Sequence, residues 1–183
     1  MQVFVGFIQR AHGLLAILHF FVELCLLRRN PQDLPASQGL LNVIVGIGLL
    51  GGLLLSVTAG GSMLNGLVQT GLDFGLMLGV LYLAMRALDK TPRFLQTATA
   101  LVGADTLVGL VALVPVGLLG PEIEQSPQLM LAGLMFLALV IWSVIIAGHI
   151  LRHAFDIRLG QGVAIAIAFD LLSFMIIGGL VSS

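Results

Sequence analysis

Charge is scarce in this sequence. Eight lysines and arginines with nine aspartates and glutamates make 9% of 183 residues, where a soluble domain carries about 25%. A chain with so little to present to water is excluded from the soluble globular class. Net charge is −1 and no basic run occurs, which excludes nucleic acid as a partner. One cysteine, Cys25, cannot close an intramolecular disulfide, so thiol redox chemistry has no second sulfur. The first residues have neither a basic n-region nor a small-residue cleavage site, so they are expected to be retained rather than removed as a secretory signal. Alternating ten-residue units are missing too, which excludes an outer-membrane barrel.

What is present is long apolar stretches, with 58% hydrophobic residues and a mean hydropathy of +1.11. The expected fold class is all-α: a polytopic transmembrane bundle forming one domain over residues 1–183. Residues 1–36 supply an amphipathic helix and a link, and 37–183 a five-helix bundle. A span needs roughly 20 residues at 1.5 Å rise to cross about 30 Å of hydrocarbon. The first runs from about Gln38 to Val57, with Ser37 as its cap and a close-packing Gly48-x-x-x-Gly52 pattern. Gly60-Gly61-Ser62 turns into the second, Met63 to Arg86. Thr91-Pro92 pairs a capping hydroxyl with proline at the first helical position, opening the third span, Pro92 to Leu119, with a kink expected at Pro115. Ser126-Pro127 repeats that start for the fourth, which reaches Arg152. Asp156 is placed to cap the fifth, from about Arg158 to Val181.

The second span is expected to be central. At about 100° per residue, Asn65, Gly66, Gln69, Thr70 and Asp73 fall on one side, with Gly71, Gly75 and Gly79 nearly opposite. Two such faces call for neighbours on both sides. Residues 3–27 make a further apolar helix with a thin seam through Gln9, His12, Ala16, His19 and Glu23. It is read as lying in the interface or tucked against the bundle. A sixth span is the alternative, at a cost of up to roughly 3 kcal/mol for an acid at mid-helix.

The basic residues fall in three places: Arg10, Arg28 and Arg29; Arg86, Lys90 and Arg93; Arg152 and Arg158. The two remaining loops contain none. Positive charge stays on the cytoplasmic side, so the N-terminus is expected inside and the C-terminus outside. Seven arginines against one lysine hint at a GC-rich genome, and the expected location is the bacterial cytoplasmic (inner) membrane.

Five spans after an amphipathic N-terminal region, with Asn30-Pro31-Gln32-Asp33-Leu34-Pro35 just before the first, resemble the Yip1-type five-span membrane protein family. That stretch stands where the family has a motif built on Asp-Leu-Tyr-Gly-Pro, and here the Tyr-Gly is missing. The resemblance implies a non-enzymatic, partner-binding membrane protein and carries over no site residues.

Three acids stand out. Asp73 lies 13 residues before Arg86, Asp105 lies 12 after Arg93, and Asp170 lies 12 after Arg158. At 1.5 Å per residue each sits roughly 18–20 Å from a basic loop, near the bilayer midplane, with no lysine or arginine at that depth. Such residues are candidates for ion or proton handling. The plainer reading makes them interhelical glue, worth about 0.6 kcal/mol and at most about 2. His149 and His153, one turn apart, could hold a metal or haem, with His12 and His19 as further ligands, but two histidines make half a site. No bound cofactor is expected, and no metal. Gly71-Leu-Asp73 and Gly103-Ala-Asp105 lack the Gly-x-Gly-Asp of intramembrane aspartyl proteases, and no serine has a base beside it. No enzyme is expected.

The expected function is a non-catalytic scaffold, assembly or accessory component of a membrane complex. Its expected partners are the lipid bilayer and a membrane protein or second copy, met through the Gly48, Gly52, Gly75 and Gly79 faces. The alternative is a small proton- or cation-coupled transporter or channel subunit using the aspartates.

Overall fold

A computed structural model describes residues 15–118 and 127–181. Six α-helices and no strand occur among them: α1 (Leu15–Cys25), α2 (Gln38–Thr58), α3 (Met63–Ala87), α4 (Phe94–Leu118), α5 (Pro127–Phe155) and α6 (Leu159–Val181). The last five are long and apolar enough to cross a membrane. Large side chains such as Leu83, Leu131 and Phe174 are exposed along them, as lipid-facing positions should be.

Local chemistry sets the ends. Ser37 is extended, and its hydroxyl accepts from the Leu40 N–H at 3.3 Å. Ser62 does the same for the Asn65 N–H at 3.1 Å. Between these helices Gly60 takes a φ of 80°, a left-handed position that glycine adopts without a Cβ penalty. Proline opens α4 differently from expectation. Thr91–Arg93 form a 3-10 turn with no side-chain cap, and the α-helix starts only at Phe94. Pro115 sits inside α4, fully buried near its described end.

Helix contacts run in a ring: α2 beside α3, α3 beside α6, α6 beside α5, α5 beside α4 and α4 back beside α2, with α3 and α4 also touching. The most deeply buried span is α4, and α3 is among the least buried, so α3 is not the central helix. The reason is visible in side-chain size. Thr97, Ala98, Thr99, Ala100, Gly103 and Ala104 let neighbours close on α4 from several sides. Its threonines satisfy their hydroxyls internally, Thr97 on the Arg93 carbonyl and Thr99 on that of Leu95. A Cβ on Gly75 or Gly79 of α3 would meet nothing within 4 Å. Glycine permits close packing without compelling it.

The N-terminal helix docks on the bundle. Phe21, Leu24 and Cys25 are buried, while Leu15, Leu18 and His19 are exposed. Phe21 packs on Gly103 of α4, and the Trp142 indole N–H of α5 donates to the Cys25 carbonyl at 3.0 Å. Glu23 is ion-paired with Arg29 at 2.8 Å and faces His19 at 3.4 Å. Gln9, His12 and Arg10 lie outside the described residues. The link after α1 follows the bundle surface. Gln32 donates to the His153 carbonyl at 2.9 Å, and Gln96 donates to the carbonyls of Gln32 and Leu34. The Asn30–Pro35 stretch therefore serves as a docking turn.

Helices α1, α3 and α5 all finish at the same end of the ring, where every described basic residue gathers. Each ends on a left-handed residue that is not glycine: Leu27, Asp89 and Asp156. The negative ends of their dipoles face those basic groups. Lys90 reaches the Phe155 carbonyl at 2.6 Å and Asp156 at 2.7 Å, and Arg93 reaches Asp156 at 3.0 Å. Asp156 thus ties two loops together instead of capping α6. At the start of α6 the Arg158 N–H is held by Gln161 at 3.0 Å.

Hydrogen bonds from Lys90 and then Arg93 hold the Asp156 carboxyl below the usual carboxylate range. A group depressed in the folded state stabilises the fold above its unfolded pKa, about 3.9, and that contribution is lost as pH falls through the lower folded value. Asp156→Asn should therefore lower Tm in detergent at pH 7 by a small amount, because the pair is exposed. The gap should close on acidification below about pH 4. A Tm gap unchanged from neutral to strongly acidic pH would show that the ion pairs contribute nothing.

Candidate functional site

Asp73, Asp105 and Asp170 come from three helices, α3, α4 and α6, and meet at one level inside the ring. All three line two cavities at once. The first, about 150 Å³, reaches from that level toward the basic end. Its walls are Leu81 and Ala84 of α3, Leu101 and Ala104 of α4, Ile150 and Phe155 of α5 and Ala166 of α6, among others. The second, about 680 Å³, extends to the far end between α2, α3, α4 and α6. Gln69, Thr70, Thr106, Ser173 and the glycines at 48, 51 and 52 give it a more polar lining. The aspartates are the residues that separate a polar vestibule from an apolar chamber.

One wall of the far cavity is built by close packing. Gly48 of α2 lies against the Phe74 ring and the Thr106 hydroxyl, and Gly52 lies against Thr70. These two glycines are used within the chain, seating α2 on α3 and α4. Gly75 and Gly79 remain open. The sequence pattern marked all four alike, and only the packing separates them.

Electrostatically the level is uncompensated. Among the described residues no lysine, arginine or histidine lines either cavity, and the three carboxyl groups share the lining of both. Ser173 of α6 donates to a carboxyl oxygen of Asp73. Ser173 stands three residues after Asp170 on its own helix, yet it reaches across to α3. Thr106, beside Asp105, bonds the Val102 carbonyl of its own helix at 2.7 Å. Among the described residues no hydrogen bond reaches the carboxyl of Asp105 or Asp170. Asp105 keeps much of its surface accessible in mid-span because the cavities lie against it.

The histidines gather no third ligand. His149 is buried, with its Nε2 3.0 Å from the Arg29 carbonyl, and its ring meets that of His153 edge to face at 4.8 Å. His19 sits on α1 with Glu23, and His12 is outside the described residues. Among the described residues no group of three His, Cys, Asp or Glu side chains is arranged to hold a metal. His149 pins the N-terminal link to α5.

Sequence reasoning missed four residues. Ser143 of α5 lines the basic-end cavity, Trp142 fastens α1, and Gly148 with Gly162 brings α5 and α6 into backbone contact. A spacing signal could have found only the last two, as small residues facing each other in consecutive spans. No protein-family model, curated protein or solved structure matches this chain.

Proposed function

We propose that this protein moves protons or small monovalent cations across the membrane through the Asp73–Asp105–Asp170 level. One observation carries the reading: three acids from three helices meet where two cavities abut, and among the described residues two of them have no hydrogen-bond partner. Interhelical glue needs a partner for each polar group, because the return of about 0.6 kcal/mol comes from the bond itself. Asp73 has one in Ser173. Asp105 and Asp170 have none, so glue does not account for them, while intramembrane acids facing a cavity are typical of ion and proton routes. A scaffold or accessory role would leave the cavities and both free carboxyls unused. The Yip1-type resemblance of the link adds nothing toward transport, since the matching residues serve as a docking turn.

By the positive-inside rule the basic end faces the cytoplasm of a bacterial inner membrane and the polar cavity opens on the other side. Purified protein in vesicles loaded with a pH-sensitive dye should carry proton or cation flux above protein-free vesicles when a gradient is imposed. Flux indistinguishable from protein-free vesicles for protons, sodium and potassium alike would end the proposal. In cells, a cysteine replacing Ala59 should react with an impermeant maleimide from outside and one replacing Leu88 should not. The opposite pattern would invert the orientation.

A further inference from the structure

The basic-end cavity has a chemistry that bare ions do not require. Its walls are almost wholly apolar, and among the described residues its polar groups are Ser143 and the three aspartates. An inorganic cation finds oxygen ligands there only at the aspartates and Ser143, so the apolar walls give it a short path to cross and no place to rest. A cation that carries its own apolar body loses little there. Size narrows the class. An apolar cavity of about 150 Å³ is large enough to take up benzene, and this one measures about 150 Å³.

Resting on the transport reading above, we propose that this cavity binds a monovalent organic ammonium whose apolar part is about the size of a benzene ring, with its cationic head at Asp105 and Asp170. Charge complementarity fixes the head. Among the described residues no basic side chain lines the cavity to favour an anion, and a neutral guest would leave the carboxyls unpaired. The apolar part lies toward Ala84, Ala147 and Leu151, so occupancy places the head where transported charge passes.

The probe is benzylammonium, titrated calorimetrically into the purified protein at neutral pH, with benzyl alcohol as the neutral isostere. A charge-assisted contact makes benzylammonium bind about tenfold tighter or more. Ala147→Leu on α5 and Ala84→Leu on α3 each fill the cavity from a different wall, and benzylammonium binding should be lost in both. Flux without benzylammonium binding overturns the pocket and leaves transport standing. Equal affinity for benzyl alcohol, or binding unchanged in both leucine variants, also overturns it. Absence of both binding and flux removes transport and pocket together.

Discussion

Asp105→Asn should bring proton or cation flux in reconstituted vesicles down to the level of protein-free vesicles while the protein stays folded. Asparagine keeps the shape of the carboxyl and its capacity for hydrogen bonds, but it cannot titrate or carry charge. Asp105 has no hydrogen bond among the described residues to lose, so the stability change should fall below the roughly 0.6 kcal/mol of an average interhelical bond. Ser173→Ala makes the useful contrast. It deletes the one bond that a described side chain makes to these carboxyls, and it should cost up to about 2 kcal/mol while leaving the titrating groups in place. The two readings therefore invert each other. If glue is the role of the acids, Asp105→Asn matters little to anything measured. If transport is, flux collapses with the melting curve almost unmoved. Wild-type flux in the Asp73, Asp105 and Asp170 asparagine variants would retire the ion-handling proposal.

Gly162→Ala should be the most damaging single methyl that can be added to the described part of the chain. A Cβ there would press into the α5 backbone, 3.2 Å from the Arg152 nitrogen and closer still to the Gly148 carbonyl oxygen. On the facing side a Cβ on Gly148 would lie 2.8 Å from the Val163 nitrogen and 2.9 Å from its Cα. Backbone cannot rotate away, so the helices must separate, at about 1–3 kcal/mol for overpacking of this kind. Gly52→Ala meets the Thr70 side chain instead, which has torsions to yield, and should cost less. Gly79→Ala meets open space and should be neutral or slightly stabilising, because alanine is the better helix former by about 0.5–1 kcal/mol. The order is read from unfolding in a mild detergent titrated with a denaturing one. A Gly79→Ala variant that dissociates an oligomer would instead place a second copy on the open face of α3. Equal stability of Gly162→Ala and wild type would show that α5 and α6 do not approach as closely as drawn.

The residues differ in how far they could be read in advance. Segment length and hydropathy announce the five spans, because burying backbone in hydrocarbon leaves a helix few alternatives. Ser37 and the glycine turn at Gly60 announce the first hairpin through local geometry. The common depth of Asp73, Asp105 and Asp170 follows from counting residues from arginines that settle at one end. Other features were hidden for a physical reason. Rotation of a helix about its axis is set by neighbours, and a span that is apolar nearly all round carries little record of which side faces inward. For that reason the two-faced pattern of α3 points to a hub when α4 fills that place, and Ser173, three residues from Asp170, reaches α3 instead. Asp156 looked like a helix cap because aspartate favours that position. Lys90 and Arg93, about sixty residues away in the chain, claimed it instead.

Hydrophobic length, helix punctuation and the segregation of basic residues belong to the sequence itself, since each is decided within a few residues by water, lipid and the peptide group. Side-chain size at helix crossings acts only when two surfaces meet. Packing alone determined that Gly48 and Gly52 are filled while Gly75 and Gly79 are open, and that three acids share one junction between a polar and an apolar cavity. Depth could be counted along the chain. Facing had to be built in three dimensions.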